Sequence, residues 1–171
     1  PISIVNQIKS NLQDRYDSGY PILKELLQNA DDAEARRFRL DALPGWPTAA
    51  NPLLRGPGLL VINDGFFREE DETGITSFGE SSKAADSATI GKFGFGLPNA
   101  SINQTRLVEV YTKVAGAKAV TKAWLDARDV KTHGLQSIPD PVEAALPEFV
   151  QTYLDRQGLA FEHGTVVVWV E

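Results

Sequence analysis

The segment Leu59-Leu60-Val61-Ile62 constrains the fold more than any other, because four consecutive residues are apolar on both faces of a pleated strand. Such a strand has to be covered on both sides, which makes it an interior strand rather than an edge. It runs into Asn63-Asp64-Gly65, a composition suited to a tight turn. In open α/β sheets the carboxyl end of a strand is where ligands sit, and a carboxylate there can accept a hydrogen bond from an exocyclic amine.

Further strands are expected over Phe38 to Leu43, over Leu107 to Val114 and Lys118 to Leu125 as a hairpin turning at Gly116, and over Thr165 to Val170. Pro44, Gly45, Pro47, Pro52, Gly56 and Pro57 make the stretch after the first of these a loop at the rim. Helical spacing of Ile4, Val5, Ile8 and Leu12 predicts a leading helix within residues 1–17. A second helix opens with Pro21 in its first turn and runs to about Ala35. Glu69-Glu70-Asp71 begin a short helix to Phe78, Leu97 to Gln104 forms another, and Pro147 to Arg156 a last one closed by Gly158. Between them Gly79 to Gly91 is rich in small polar residues, the composition of a lid.

With 171 residues, 42% hydrophobic and 23% charged, the chain matches one soluble domain, 1–171, around a single core. A net charge of -6 disfavours a surface built for nucleic-acid backbones. Without cysteine there is no disulfide framework, thiolate metal site or thiol nucleophile. The run Val166 to Val170 is far too short to span a bilayer, so no membrane partner and a cytoplasmic setting are expected. A chain that begins at Pro1 and contains no methionine fits either an excised initiator or a piece of a longer protein.

Three segments bear on chemistry beside the strand-ending turn. In the second helix Glu25, Asn29 and Asp32 are spaced to share one arc, beside an apolar stripe of Ile22, Leu23, Leu26, Leu27, Ala30 and Ala33. That arc can hold a metal and activate a water, although a solvated helix flank has the same composition. Gly91-Lys92-Phe93-Gly94-Phe95-Gly96-Leu97-Pro98 has the form of a phosphate cradle, its glycines exposing backbone N–H groups ahead of a helix start. It is neither a Walker loop nor a dinucleotide fingerprint, since Phe93 follows Lys92 and Asn99 stands at the third glycine position. Gly164-Thr165 opens the final strand, where the hydroxyl can support a base-reading carboxylate. His133 and His163 read as surface loop residues, and the tryptophans Trp46, Trp124 and Trp169 as core or partly buried.

Taken in order, these segments resemble the four motifs of the GHKL superfamily, named for gyrase, the heat-shock chaperone, histidine kinases and MutL. Glu25 to Ala33 resembles its N box, Asn63-Asp64-Gly65 and Gly91 to Gly96 its two glycine boxes, and Gly164-Thr165 its closing Gly-Thr. Leu26-Leu27-Gln28-Asn29-Ala30-Asp31-Asp32-Ala33 and Phe78-Gly79-Glu80-Ser81-Ser82-Lys83 are particularly similar to sacsin-type domains. Gly96 to Ile102 is also similar to bacterial proteins related to the MORC ATPases.

The resemblance implies a Bergerat-type fold: an α/β two-layer sandwich with a mixed, mostly antiparallel sheet, helices on one face, and a lid over about residues 66–96. ATP and Mg²⁺ would lie between the second helix and the lid. Glu25 matches the general base, Asn29 the Mg²⁺ ligand and Asp64 the adenine-reading carboxylate, with Asn63 as the alternative because the box here lacks its later glycine. Asp32, Ala33, Gly65 and Thr165 match positions around the base, and Ser81, Ser82 and Lys83 match lid residues that reach phosphates. Gly91, Lys92, Phe93, Gly94, Phe95 and Gly96 match the phosphate loop. The implied activity is slow Mg²⁺-dependent ATP hydrolysis, with lid closure coupled to downstream domains or protein clients and a nucleotide-dependent dimer as one outcome. The alternatives are a non-catalytic ATP/ADP sensor and a histidine kinase catalytic domain.

Overall fold

A computed structural model describes residues 20–66, 106–126 and 141–170, apart from the side chains of Tyr20, Pro21, Ile22 and Glu25. Helix α1 spans Tyr20–Asp32, followed by strands β1 Phe38–Leu43 and β2 Gly58–Asn63. Strands β3 Leu107–Lys113, β4 Val120–Asp126 and β5 Val142–Ala144 come next, then helix α2 Glu148–Arg156 and strand β6 Gly164–Val170. The six strands form one sheet in the order β1-β2-β6-β3-β4-β5. Every neighbouring pair is antiparallel.

The last strand in the chain therefore lies inside the sheet, between β2 and β3, and all of its residues are buried. Alternation divides its side chains between two cores. Val166, Val168 and Val170 join Leu60, Ile62, Leu107 and Tyr111 beneath Phe149, Val150 and Leu154 of α2. Val167 and Trp169 point the other way and pack with Val61, Val108, Val110, Leu125 and Leu26 of α1. Burying an aliphatic side chain of this size contributes roughly 1.5–3 kcal/mol, so four β6 valines alone hold the two halves of the sheet firmly together.

This arrangement corrects the expected two-layer α/β sandwich with a mixed sheet and helices on one face. The sheet is wholly antiparallel, the described part is mostly β, and its two short α-helices lie on opposite faces. The physical reason is already present in β2 and β6: strands apolar on both faces need cover on both, and a helix on one side alone would leave the other apolar layer in water.

Most elements agree with the pattern of their residues. Pro21 does lie in the first turn of α1, and β1, β2, β4 and β6 match the expected strands to within a few residues. The loop after β1 is compact: Asn51 caps the 3-10 turn Pro52–Arg55, and Ala49 and Leu54 are buried in the α2-side core. Strand β5 was not expected; its three residues are exposed or half-buried, and pairing with β4 rather than any apolar pattern defines it. The helices expected within 1–17, 69–78 and 97–104, the lid over about 66–96 beyond Phe66, and His133 lie outside the described residues.

Candidate functional site

Three of the four sequence segments meet at one end of the sheet, on the α1 side. Among the described side chains of the apolar stripe on α1, Leu26, Ala30 and Ala33 are buried, which seats the C-terminal end of α1 on the sheet, whereas Leu27 is exposed. There the carbonyl of Ala33 accepts the Phe66 N–H at 2.7 Å. Gly65 lies so close that a Cβ on it would stand 2.5 Å from the Ala33 Cβ. The turn after β2 and the end of α1 are thus in direct contact, and only glycine fits between them.

The start of β6 closes onto the same turn. Gly164 has φ +121 and its missing side chain leaves room for the backbone of Asn63 and Asp64; a Cβ there would run into the Asn63 carbonyl oxygen. Next to it, Thr165 pairs with Asn63 on one side and Thr112 on the other. Thr165 and Thr112 are 2% and 3% exposed and Asn63 is 6% exposed. Counting by twos from Val61, Val110 and Val167, which pack against α1, puts all three side chains on the α1 side of the sheet. Among the described residues the Thr112 hydroxyl has no hydrogen-bond partner.

Asp64 behaves differently. Its Oδ1 accepts the backbone N–H groups of Arg36 and Arg37 at 2.8 and 2.7 Å, tying the α1–β1 connection to the end of β2. Asn63 Oδ1 accepts the Gly65 N–H at 3.0 Å, which sets the turn. Asn29 is buried on α1, while Asp32, one turn further, is exposed. Glu25 lies on the same helix, with its side chain outside the described residues. Ser81, Ser82, Lys83, Gly91, Lys92, Phe93, Gly94, Phe95 and Gly96 also lie outside them.

Beside this cluster is a contact that the sequence reading placed on a plain surface loop. His163 is half-buried, its Nδ1 lies 3.3 Å from the Gly65 carbonyl oxygen, and its ring stacks on Phe66 with centroids 4.6 Å apart. The signal available was its position directly before Gly164. For Asn63 and Thr112 the signal was strand alternation, two residues from Val61 and from Val110.

On the opposite side of the sheet a second polar group is self-contained. Glu109, 3% exposed, accepts the Tyr111 hydroxyl at 2.7 Å and the Lys122 ammonium at 2.7 Å, one on each carboxylate oxygen. Burial, then the charge of Glu109 and the hydrogen bond to it, hold the Tyr111 phenol well above its ordinary pKa. Lys122 also sits 5.5 Å from the ring centres of Tyr111 and Trp124. Both carboxylate oxygens being engaged, this cluster is a structural network. Trp46 and Trp169 are partly and fully buried in the two cores.

Among the described residues no helix is long and apolar enough to cross a membrane, and no group of three His, Asp or Glu side chains could hold a metal ion. A search of curated proteins finds human sacsin 38% identical over 94 residues, which are 50% of this chain and 2% of sacsin. The chain thus spans a very small share of that relative's length. Among solved structures, the N-terminal domain of a DNA repair protein is similar in fold, with a TM-score of 0.52 at 14% identity over 99% of this chain and 42% of that one. The sacsin domain model matches residues 2–101, more than half of the chain and both α1 and the turn after β2. This chain belongs to the sacsin domain family.

Proposed function

We propose that the chain is a nucleotide-binding module of GHKL type that binds ATP with Mg²⁺ beside α1 and hydrolyses it slowly. The observation that carries this reading is the meeting of Ala33, Asp64-Gly65 and Gly164-Thr165 at one end of the sheet, although more than thirty residues separate the first two segments and about a hundred the last two. Segments so far apart in the chain, each with a nucleotide-site motif, share one small volume.

The residues fit the ligands. Buried Asn29 offers a side-chain carbonyl of the hard oxygen type that Mg²⁺ takes, and this ion needs few protein ligands because phosphate oxygens and waters complete its shell. When bound, the ion would neutralise charge on the phosphates, and Asn29 would hold it. Glu25, on the same helix one turn earlier, is the group to orient and deprotonate a water, and phosphoryl transfer asks mainly for that positioning. The orphan hydroxyl of Thr112 beside Thr165 is the kind of buried group a bound base would satisfy. A cytoplasmic setting belongs to the same reading, since ATP and magnesium are abundant there, as do downstream domains or protein clients that respond to the nucleotide state.

Calorimetry with ATP and ADP, with and without Mg²⁺, followed by a phosphate-release assay, tests the proposal. Glu25→Ala is expected to abolish release while leaving ATP affinity within about twofold. Unchanged release in that variant would overturn the base assignment, release absent from the unaltered protein would leave a nucleotide sensor, and no binding at millimolar ATP would remove the reading altogether.

A further inference from the structure

We infer that the free edge of β1 is a pairing surface for a second copy of this chain, the two β1 strands meeting antiparallel about a two-fold axis at Leu40. Strand β1 ends the sheet, and among the described residues no strand lies beyond it. Arg39, Leu40, Asp41 and Ala42 are all exposed, and the apolar Leu40 is 43% exposed. Such an edge carries a row of backbone N–H and C=O groups open to another strand.

Which groups are open follows from one bond. The Asp64 N–H donates to the Arg37 carbonyl, so these residues continue the β1–β2 register as a hydrogen-bonded pair. Bonded and non-bonded pairs alternate along an antiparallel ladder, so Arg39, Asp41 and Leu43 also turn their backbone groups to β2. Phe38, Leu40 and Ala42 therefore turn theirs outward. Side chains divide the same way. Leu40 pairs with Val61 and lies on the α1 side, whereas Arg39 and Asp41 pair with Ile62 and Leu60 and lie on the α2 side. There the Tyr153 hydroxyl donates to Asp41 Oδ2 at 2.6 Å, and Arg39 Nη1 donates to Gln157 at 3.1 Å. Both charges are thus held in place, each with hydrogen-bonding capacity left over.

Charge fixes the register of the pairing. With Leu40 facing Leu40, the outward backbone groups of Phe38 meet those of Ala42, and Arg39 of each copy stands opposite Asp41 of the other. The Arg39–Asp41 pairs are of the non-hydrogen-bonded kind, in which side chains come closest and opposite charges stabilise. A slide of two residues in either direction sets Arg39 against Arg39 or Asp41 against Asp41. The contact is isologous, so it uses up both β1 edges and closes at two copies. Its small size sets a strength of roughly micromolar. No residue of the proposed nucleotide site takes part, so the pairing forms without ATP.

Sedimentation velocity on the nucleotide-free 171-residue chain, from about 1 to 300 μM, is expected to show a reversible monomer–dimer equilibrium. Asp41→Arg and Arg39→Asp each place like charges opposite one another, and each alone is expected to be monomeric where the unaltered chain is dimeric. Mixed in equal amounts they form a heterodimer, because every facing pair is then of opposite sign; damage to folding would not give that rescue. Leu40→Pro removes the outward N–H at the axis without touching a bond to β2, and abolishes the dimer. If either charge variant loses its folded circular dichroism spectrum, Arg39→Asp and Asp41→Arg combined in one chain take their place. That chain pairs with itself and not with the unaltered one. The proposal is overturned by an unaltered chain that stays monomeric throughout or dimerises only with ATP and Mg²⁺. A dimer that survives Leu40→Pro or the single charge variants overturns it as well, as does a mixture that stays monomeric. None of these outcomes bears on whether ATP binds.

Discussion

The two faces of the sheet bury polar groups in opposite ways. Under α2 the buried charge of Glu109 is met on both oxygens by Tyr111 and Lys122. On the α1 side, the two buried side-chain polar atoms without a partner among the described residues, Thr112 Oγ1 and Trp169 Nε1, both lie on that face. Among the described residues the α2-side core is also the larger of the two. A face whose polar atoms satisfy each other serves stability, whereas a face that leaves some unsatisfied gives up stability where a ligand can restore it. On the proposed function, the structural task falls to one side of a single sheet and the binding task to the other.

The strongest way to challenge this division is to damage the α2 side and ask whether binding notices. Leu154→Ala removes a side chain that is 1% exposed in the α2-side core and is expected to lower unfolding free energy by about 3 kcal/mol in urea titrations. ATP affinity, measured well below the transition, should hold within about twofold, because the proposed nucleotide site lies on the α1 side; a tenfold loss would break the comparison.

Gly164→Ala attacks the point where the structural strand meets the binding turn. Alanine at φ +121, against the Asn63 carbonyl, is expected to cost about 2 kcal/mol or more and, unlike Leu154→Ala, to weaken ATP binding as well. A stable variant with intact binding would mean that the turn and β6 do not depend on each other.

Glu109→Ala leaves the Tyr111 hydroxyl and the partly exposed Lys122, whose side chain is 24% accessible, without their acceptor. A loss of about 2 kcal/mol is expected, less than for a fully buried pair because Lys122 can reach solvent. The same network sets an alkaline limit. The folded state keeps the Tyr111 proton above the ordinary value of 10.0 at which the unfolded chain releases it. Stability is thus intact below about pH 10 and falls above it by about 1.4 kcal/mol per pH unit, a slope that Tyr111→Phe should remove. Tyr153 is also raised, by burial and by its bond to Asp41, so the difference between the two proteins, rather than either curve alone, is the measurement.

Much of the secondary structure was legible because it rests on local periodicity. The alternation in β6, the apolar run in β2 and the stripe on α1 each announce themselves within a dozen residues. The layer arrangement was not, even though the two-sided apolar character of Leu59 to Ile62 already demanded cover on both faces; the resemblance to a family with helices on one face outweighed that local signal. β5 was invisible because Val142-Glu143-Ala144 is a strand by virtue of its neighbour, not its composition. At the candidate site the motifs Asn29 to Ala33, Asp64-Gly65 and Gly164-Thr165 stand out as strings. That Asn63, Thr165 and Thr112 line up beside one another depends on strand register, and register between distant strands is a property of the assembled sheet.

The placement of β6 also sets an order of events during synthesis. Strands β1 and β2 can pair as soon as they are made, and so can β3 with β4, yet the two pieces have no shared edge until the final strand slides in between them. The pairing of β2 with β6, from Asn63 with Thr165 to Gly58 with Val170, therefore forms only after β6 is made and carries a large loop-closure cost, which favours slow maturation. A nascent chain on the ribosome would lack the assembled turn at the end of β2 until β6 had emerged, and its unpaired strand edges would be open to chaperones in the meantime.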